Sequence, residues 1–186
     1  MRIEERDSRH NIQNMLKWYP VYTNPRSEKK AYELLKAKGI EAYLPLQRQL
    51  KQWSDRKKWV EEPLIKSYLF VKIQISEIAE VLKTQGVCRF LYFSGKIASM
   101  PEKQITDLKL LLANEADFEI TSSSYTPGQL MLVNAGPLKG LRGELVTVFS
   151  QKKLLIRIEH TGHSVLVQVP AAFMESIPEP VVSNGA

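Results

Sequence analysis

Cysteine is nearly absent from this sequence: Cys88 is the only one in 186 residues. That excludes an intramolecular disulfide framework and any zinc site built from clustered thiolates, and it fits a reducing, cytoplasmic setting. Long hydrophobic runs are missing as well. The Tyr68-Leu-Phe-Val71 stretch is bounded by Lys66 and Lys72, far short of the roughly 18 to 20 residues of a transmembrane helix, so no membrane partner is expected. Residues 1–14 are polar and mixed in charge, so no signal peptide is expected there. Histidine is scarce too. His160 and His163 stand three apart without a convincing acidic partner and read as turn and edge residues, not metal ligands. No nucleophile and base spacing stands out, and Cys88, in a strand expected to be buried, reads as an inert small hydrophobe. Neither an enzyme nor a bound cofactor or metal is expected.

The chain does hold apolar residues enough for a sizeable core, at 44%, and its charge is unevenly placed. Residues 1–118 carry 21 Lys and Arg against 15 Asp and Glu, while residues 119–186 carry 5 against 5, so the whole net charge of +6 belongs to the first part. An acidic partner is suggested for that part alone. Between the two lies Glu119-Ile-Thr-Ser-Ser-Ser-Tyr-Thr-Pro127, a hydroxyl-rich run that reads as a linker. The expected organisation is a loose tail over 1–14, a first domain over 15–118, a linker over 119–127, a second domain over 128–178 and a tail over 179–186.

The first part mixes strands and helices. Residues 17–23 carry Trp18, Tyr19, Val21 and Tyr22 and predict a strand, with Pro20 implying an edge position or a bulge. A helix should follow, capped by Asn24 with Pro25 in its first turn, burying Ala31, Leu34 and Leu35 and ended by Gly39. Strands are expected over 41–53, 59–65, 67–75 and 87–93, with a short helical piece over 76–83. Ser99-Met-Pro-Glu102 has capping-box spacing, and Ile105, Leu108, Leu111 and Leu112 recur at helical period, which predicts a second helix. The second part reads as all strand, over 129–133, 144–149, 154–159 and 164–169, the pattern of a small barrel.

Two motifs stand out. The first is Val133-Asn-Ala-Gly136-Pro137-Leu138-Lys139-Gly140-Leu141-Arg142-Gly143-Glu144, where three glycines allow tight bends and the lack of a following helix excludes a phosphate-binding loop. It resembles the KOW motif of NusG transcription factors and several ribosomal proteins, which sits in a five-stranded SH3-like β-barrel. The second is a series. Lys17-Trp-Tyr-Pro-Val-Tyr22, Tyr43-Leu44-Pro45, Glu62-Pro63-Leu64, Ser67-Tyr68-Leu69-Phe70-Val71 and Gly86-Val87 followed by Phe90 and Phe93 resemble, in that order, a NusG N-terminal (NGN) domain. Together the likeness spans 17–177, and its Tyr-Leu-Phe-Val and Glu-Pro-Leu runs are more similar to the specialised, operon-specific RfaH and UpxY types.

The resemblance implies an α+β fold: a mixed αβ NGN domain with a mostly antiparallel sheet, linked to the KOW barrel. It implies a transcription elongation and antitermination factor that binds the clamp helices of RNA polymerase, suppresses pausing or termination, and serves long surface-polysaccharide operons as a monomer. Carried over by motif, Tyr22, Tyr68, Phe70 and Phe93 would line an exposed aromatic depression that takes the clamp helices, although alternate strand residues that merely face a core read the same way. For non-template DNA, Arg26, Lys29 and Lys30 would neutralise phosphate and Asn24 read a base, against the alternative of a solvated helix face. The cluster Lys51-Gln-Trp53-Ser-Asp-Arg56-Lys57-Lys58-Trp59 admits three readings: a single-strand binder, a soluble hairpin with its tryptophans packed at the base, or a clamp on upstream duplex DNA. In the second domain, the loop of Gly136, Lys139, Gly140, Arg142 and Gly143 would face a ribosomal protein or Rho. Residues 76–84, where RfaH-type chains carry a His-Thr-Thr run that this chain lacks, are left unassigned. The competing reading is a KOW-type RNA-binding or ribosome-associated protein.

Overall fold

The computed structural model describes residues 15–53, 56–114 and 116–178, so the expected tails and the hairpin-tip residues Ser54 and Asp55 lie outside the described residues. The chain divides into two units, Met1–Thr106 and Asp107–Ala186. The division falls within the helix Glu102–Ala113.

In the first unit, β1 (Lys17–Thr23), β2 (Glu41–Tyr43), β5 (Tyr68–Ile73) and β6 (Val87–Phe90) form an antiparallel sheet in the order β2-β5-β1-β6. The alternation of apolar residues divides its two faces. Tyr19, Val21, Leu69, Val71, Ile73 and Phe90 pack with Ala31 and Leu35 of helix α1 (Glu28–Ala37) and Val81 of α2 (Ile78–Leu82), the latter preceded by a 3-10 turn, Ile75–Glu77. The register Tyr22↔Tyr68, Pro20↔Phe70 and Trp18↔Lys72 sets those residues on the opposite face. Two ribbons stand outside this sheet: β3 (Leu46–Gln52) with β4 (Lys57–Pro63), and β7 (Tyr92–Phe93) with β8 (Lys96–Ile97).

Three expectations need correction here. Pro20 lies in a central strand, not at an edge; β6 pairs only with Val21, Tyr22 and Thr23, so Pro20 removes no donor from that ladder. Helix α1 begins at Glu28 because Asn24-Pro-Arg-Ser27 closes a turn, with Ser27 N–H donating to Asn24 O at 3.0 Å and Arg26 at φ +65°. The expected strand over 41–53 is two strands in different sheets, since Pro45 separates β2 from β3. Gly39, at φ +76°, ends α1 as expected, with Ile40 N–H reaching back to Leu35 O.

Helix α3 (Glu102–Ala113) buries Ile105, Leu108 and Leu111. In the second unit six strands, β9 (Phe118–Thr121), β10 (Leu130–Val133), β11 (Arg142–Val148), β12 (Gln151–Ile158), β13 (His163–Val167) and β14 (Met174–Ser176), form one antiparallel sheet in the order β14-β10-β11-β12-β13-β9. Among the described residues it has six strands instead of the expected five and two ends, β14 and β9, and no closed barrel is found. Residues 119–121 of the expected linker are strand. Phe118 and Ile120 pair with Val167 and Val165, because Phe-Glu-Ile-Thr alternates apolar and polar residues and extends the β13 edge.

Candidate functional site

The sheet face turned away from α1 and α2 carries three of the four aromatic residues singled out from the sequence, Tyr22, Tyr68 and Phe70. Direct pairing of β1 with β5 puts Tyr22 against Tyr68, edge to face at 5.3 Å between ring centres, and the Arg89 guanidinium lies 5.5 Å from the Tyr22 ring. Both tyrosines are half-buried. Burial pushes the Tyr68 phenol above its ordinary value; Tyr22 adds to that and Arg89 opposes it. Phe70 behaves differently. It is 0% exposed and stacks on Tyr43 at 6.5 Å, and the same burial pushes the Tyr43 phenol up to about 12. Phe70 is therefore a buried side chain two residues along the strand from Tyr68, and not an exposed anchor. Phe93 is 65% exposed, in the β7–β8 ribbon.

The basic residues meet at a second place. Pro25, Arg26 and Lys29 at the entry to α1, Glu62 and Pro63 from the base of the β3–β4 ribbon, Lys51 from farther along it, and Lys66 enclose an open groove of about 510 Å³. Lys29 Nζ donates to Glu61 O at 2.7 Å, tying the helix to the ribbon. Lys51 Nζ bonds Glu62 Oε1 at 2.5 Å and holds that carboxyl below its ordinary value, with Lys66 and Lys29 adding to the pull. The buried Glu28 carboxylate accepts the Ser67 N–H at 2.7 Å and braces the groove. The groove thus brings Lys51 of the ribbon cluster, paired with Glu62, beside Arg26 and Lys29, while Arg56, Lys57 and Lys58 do not line it. Lys66 was missed, and no local signal marks it, since it reaches Arg26 only through the fold. Lys30 is exposed, and the exposed Asn24 accepts the Cys88 thiol at 2.8 Å. Cys88 itself is exposed, not buried, because the register shift between β1 and β6 beside it breaks the expected alternation.

The β3–β4 ribbon holds Arg56, Lys57 and Lys58, all exposed. Trp53 and Trp59 are 49% and 54% exposed, so the reading in which they pack at its base does not hold.

In the second unit, the loop between β10 and β11 closes on itself: Gly140 N–H donates to Val133 O at 2.7 Å, Leu138 and Leu141 are buried, and Lys139 and Arg142 face outward. Gly136 and Gly140 take φ values of +76° and +94°. Gly143 is required for a different reason, since a Cβ there would lie 2.6 Å from Leu155 O. Beside the loop is an apolar cavity of about 260 Å³ lined by Val133, Pro137, Leu138, Val169 and Phe173 among others. On one sheet face, Tyr125 packs over Val146, Leu155 and Leu166. Arg157 fastens this segment by donating to Tyr125 O at 3.0 Å and to both Glu144 oxygens at 2.7 and 2.8 Å, which holds the Glu144 carboxyl below its ordinary value. His160 and His163 sit in and beside a turn, His160 at φ +63° and His163 Nδ1 2.9 Å from Thr161 O.

The first unit thus holds a half-buried aromatic pair on one sheet face and an open groove lined by Arg26, Lys29, Lys51 and Lys66. The family model described as transcription termination factor nusG matches residues 16–109, half of the chain. The chain belongs to the NusG family of transcription elongation factors, which act with RNA polymerase. Among solved structures, it is similar to Thermotoga maritima NusG, with 20% identity, 88% of this chain and 98% of that chain covered and a TM-score of 0.49. It is also similar to a chain of the MjSpt4:Spt5 complex in conformation B, with 14% identity, 86% and 96% covered and a TM-score of 0.30. No described helix is long and apolar enough to cross a membrane.

Proposed function

We propose that the chain is a specialised antiterminator of the RfaH or UpxY kind, which holds the clamp helices of RNA polymerase on the tyrosine face of its first unit. The observation that carries the reading is the Tyr22–Tyr68 pair: two half-buried rings locked edge to face on a rigid central ladder, away from the main core. Rigid aromatic side chains lose little rotamer entropy on binding and act as anchors worth about 2 kcal/mol or more each. Phe93 extends the contact, and Phe70, buried and stacked on Tyr43, stiffens the same sheet face. The groove of Arg26, Lys29, Lys51 and Lys66, with Asn24 and Lys30 beside it, takes exposed non-template DNA, while Arg56, Lys57 and Lys58 act on DNA farther out on the ribbon. The second unit is the KOW domain, and the surface of Lys139, Arg142 and the adjoining apolar cavity recruits a ribosomal protein or Rho. Its targets are long surface-polysaccharide operons.

The test is binding of the full chain to purified RNA polymerase, with a Tyr22→Ala/Tyr68→Ala variant whose circular dichroism matches the wild type. Loss of binding in the variant, with wild-type run-through of terminators in a transcription assay, supports the reading. A wild-type chain that ignores polymerase but binds structured RNA with a steep salt dependence overturns it in favour of a KOW-type RNA-binding protein.

A further inference from the structure

The β3–β4 ribbon pairs Leu46–Gln52 with Lys57–Pro63 and shares no ladder with the four-stranded sheet. Isolated two-stranded ribbons are marginal in water, yet this one leaves three large apolar side chains open to solvent: Leu50, Trp53 and Trp59 are each about half exposed. The register decides where they point. Leu50 lies directly opposite Trp59, so both share one face with Arg48 and Lys57. Trp53 N–H donates to Arg56 O at 2.8 Å, continuing the ladder by one step, so Trp53 lies on the other face with Lys51 and Lys58. Each face therefore carries one indole and its own cations. Lys51 sits directly across from Lys58, and its ammonium is met by the Glu62 carboxylate on the same face of the ribbon.

Intramolecular packing accounts for part of this only. Arg48 lies 4.9 Å from the Trp59 ring centre and covers one ring face, but the residue remains 54% exposed. Contacts to a closed duplex require cations that neutralise phosphate and have no use for an indole, because the bases are already stacked on each other. An exposed ring flanked by cations suits unpaired bases, which stack on it without regard to sequence. Because the two indoles lie on opposite faces, one continuous stack of bases cannot reach both.

We infer that the ribbon engages a duplex opening, with an unpaired nucleotide of one strand stacked on Trp53 and one of the other strand on Trp59. This deepens the DNA-binding part of the function proposed above, and it is tested with naked oligonucleotides so that its failure is separate from failure to bind polymerase. Fluorescence anisotropy of the full chain is measured on a labelled fork, a single strand and a blunt duplex of matched sequence. The fork binds tightest. Trp53→Ala and Trp59→Ala each weaken fork binding about tenfold, Trp53→Phe and Trp59→Phe keep most of it, and none of the four changes duplex binding. Lys57→Gln with Lys58→Gln weakens all three and flattens the salt dependence. In the double alanine variant Trp18, which is buried, is the remaining tryptophan, and its unchanged emission shows that the first unit is folded. The inference is overturned if the blunt duplex binds as tightly as the fork, if the alanine variants bind the fork like the wild type, or if the indoles are needed only for binding to anionic lipid vesicles.

Discussion

Replacing Phe70 by Ala separates the two roles open to an aromatic residue on the second sheet face. The side chain is fully buried and stacked on Tyr43, so its removal leaves a cavity in a covered site. Phe→Ala at such a site costs about 3 to 5 kcal/mol. For a unit of about 100 residues, at roughly 4 to 8 °C per kcal/mol, Tm falls by about 12 °C or more. Phe70→Leu keeps most of the volume and should cost less than about 1.5 kcal/mol. Tyr68→Ala, at a half-exposed position, loses one edge-to-face pair and some area, about 1 to 2 kcal/mol. The assay is thermal unfolding of the full chain in a Trp53→Phe/Trp59→Phe background, where emission from buried Trp18 reports the first unit. Polymerase binding is measured on the same samples below their melting range. Tyr68→Ala should lose binding while staying folded, and Phe70→Leu should keep both. If Phe70→Ala costs under about 1 kcal/mol and abolishes binding, Phe70 is itself a contact and the division between anchor and support is wrong.

Glu144 is held below its ordinary value near 4.5 by Arg157, so the ion pair stabilises the fold fully above that value and its contribution disappears as pH falls through the depressed one. The stability difference between wild type and Glu144→Gln should therefore be constant at neutral pH and shrink only in that acid window; a difference unchanged down to pH 2 would refute the assignment. Gly143→Ala drives a methyl group onto Leu155 O and Leu154 Cγ and should cost about 1 to 3 kcal/mol from overpacking, whereas Gly140→Ala meets nothing within 4 Å and pays only for its positive φ. Denaturant unfolding of both variants checks this, and equal effects would mean that close approach is not what selects Gly143. Cys88 should react with a thiol reagent in the native chain at a rate near that of the unfolded chain, and strong native protection would contradict its exposure.

The candidate site was only partly legible. Tyr22 and Tyr68 could be named because the strand patterns around them are strong and both lie within the motifs that carry the resemblance. Phe70 could not be told from Tyr68, since residues two apart on a strand share a face and periodicity says nothing about which part of that face is covered. Cys88 was misplaced for a similar reason: a register shift is a property of two strands together, and the sequence of one does not announce it. Lys66 joins Arg26 across forty residues, a distance over which charge patterning carries no information.

By itself the sequence determined what depends on local interactions: the composition that makes a core, the strand and helix periods, Gly39 at the end of α1, the stripe of Ile105, Leu108 and Leu111, and the division into a basic first part and a balanced second part. The tertiary structure alone decided what depends on pairing between distant segments. It split residues 41–53 between two sheets, drew residues 119–121 out of the expected linker into a six-stranded sheet, and turned Trp53 and Trp59 to opposite faces of one ribbon. Strand order and register are chosen by the summed burial and hydrogen bonding of whole sheets, a quantity no single segment carries.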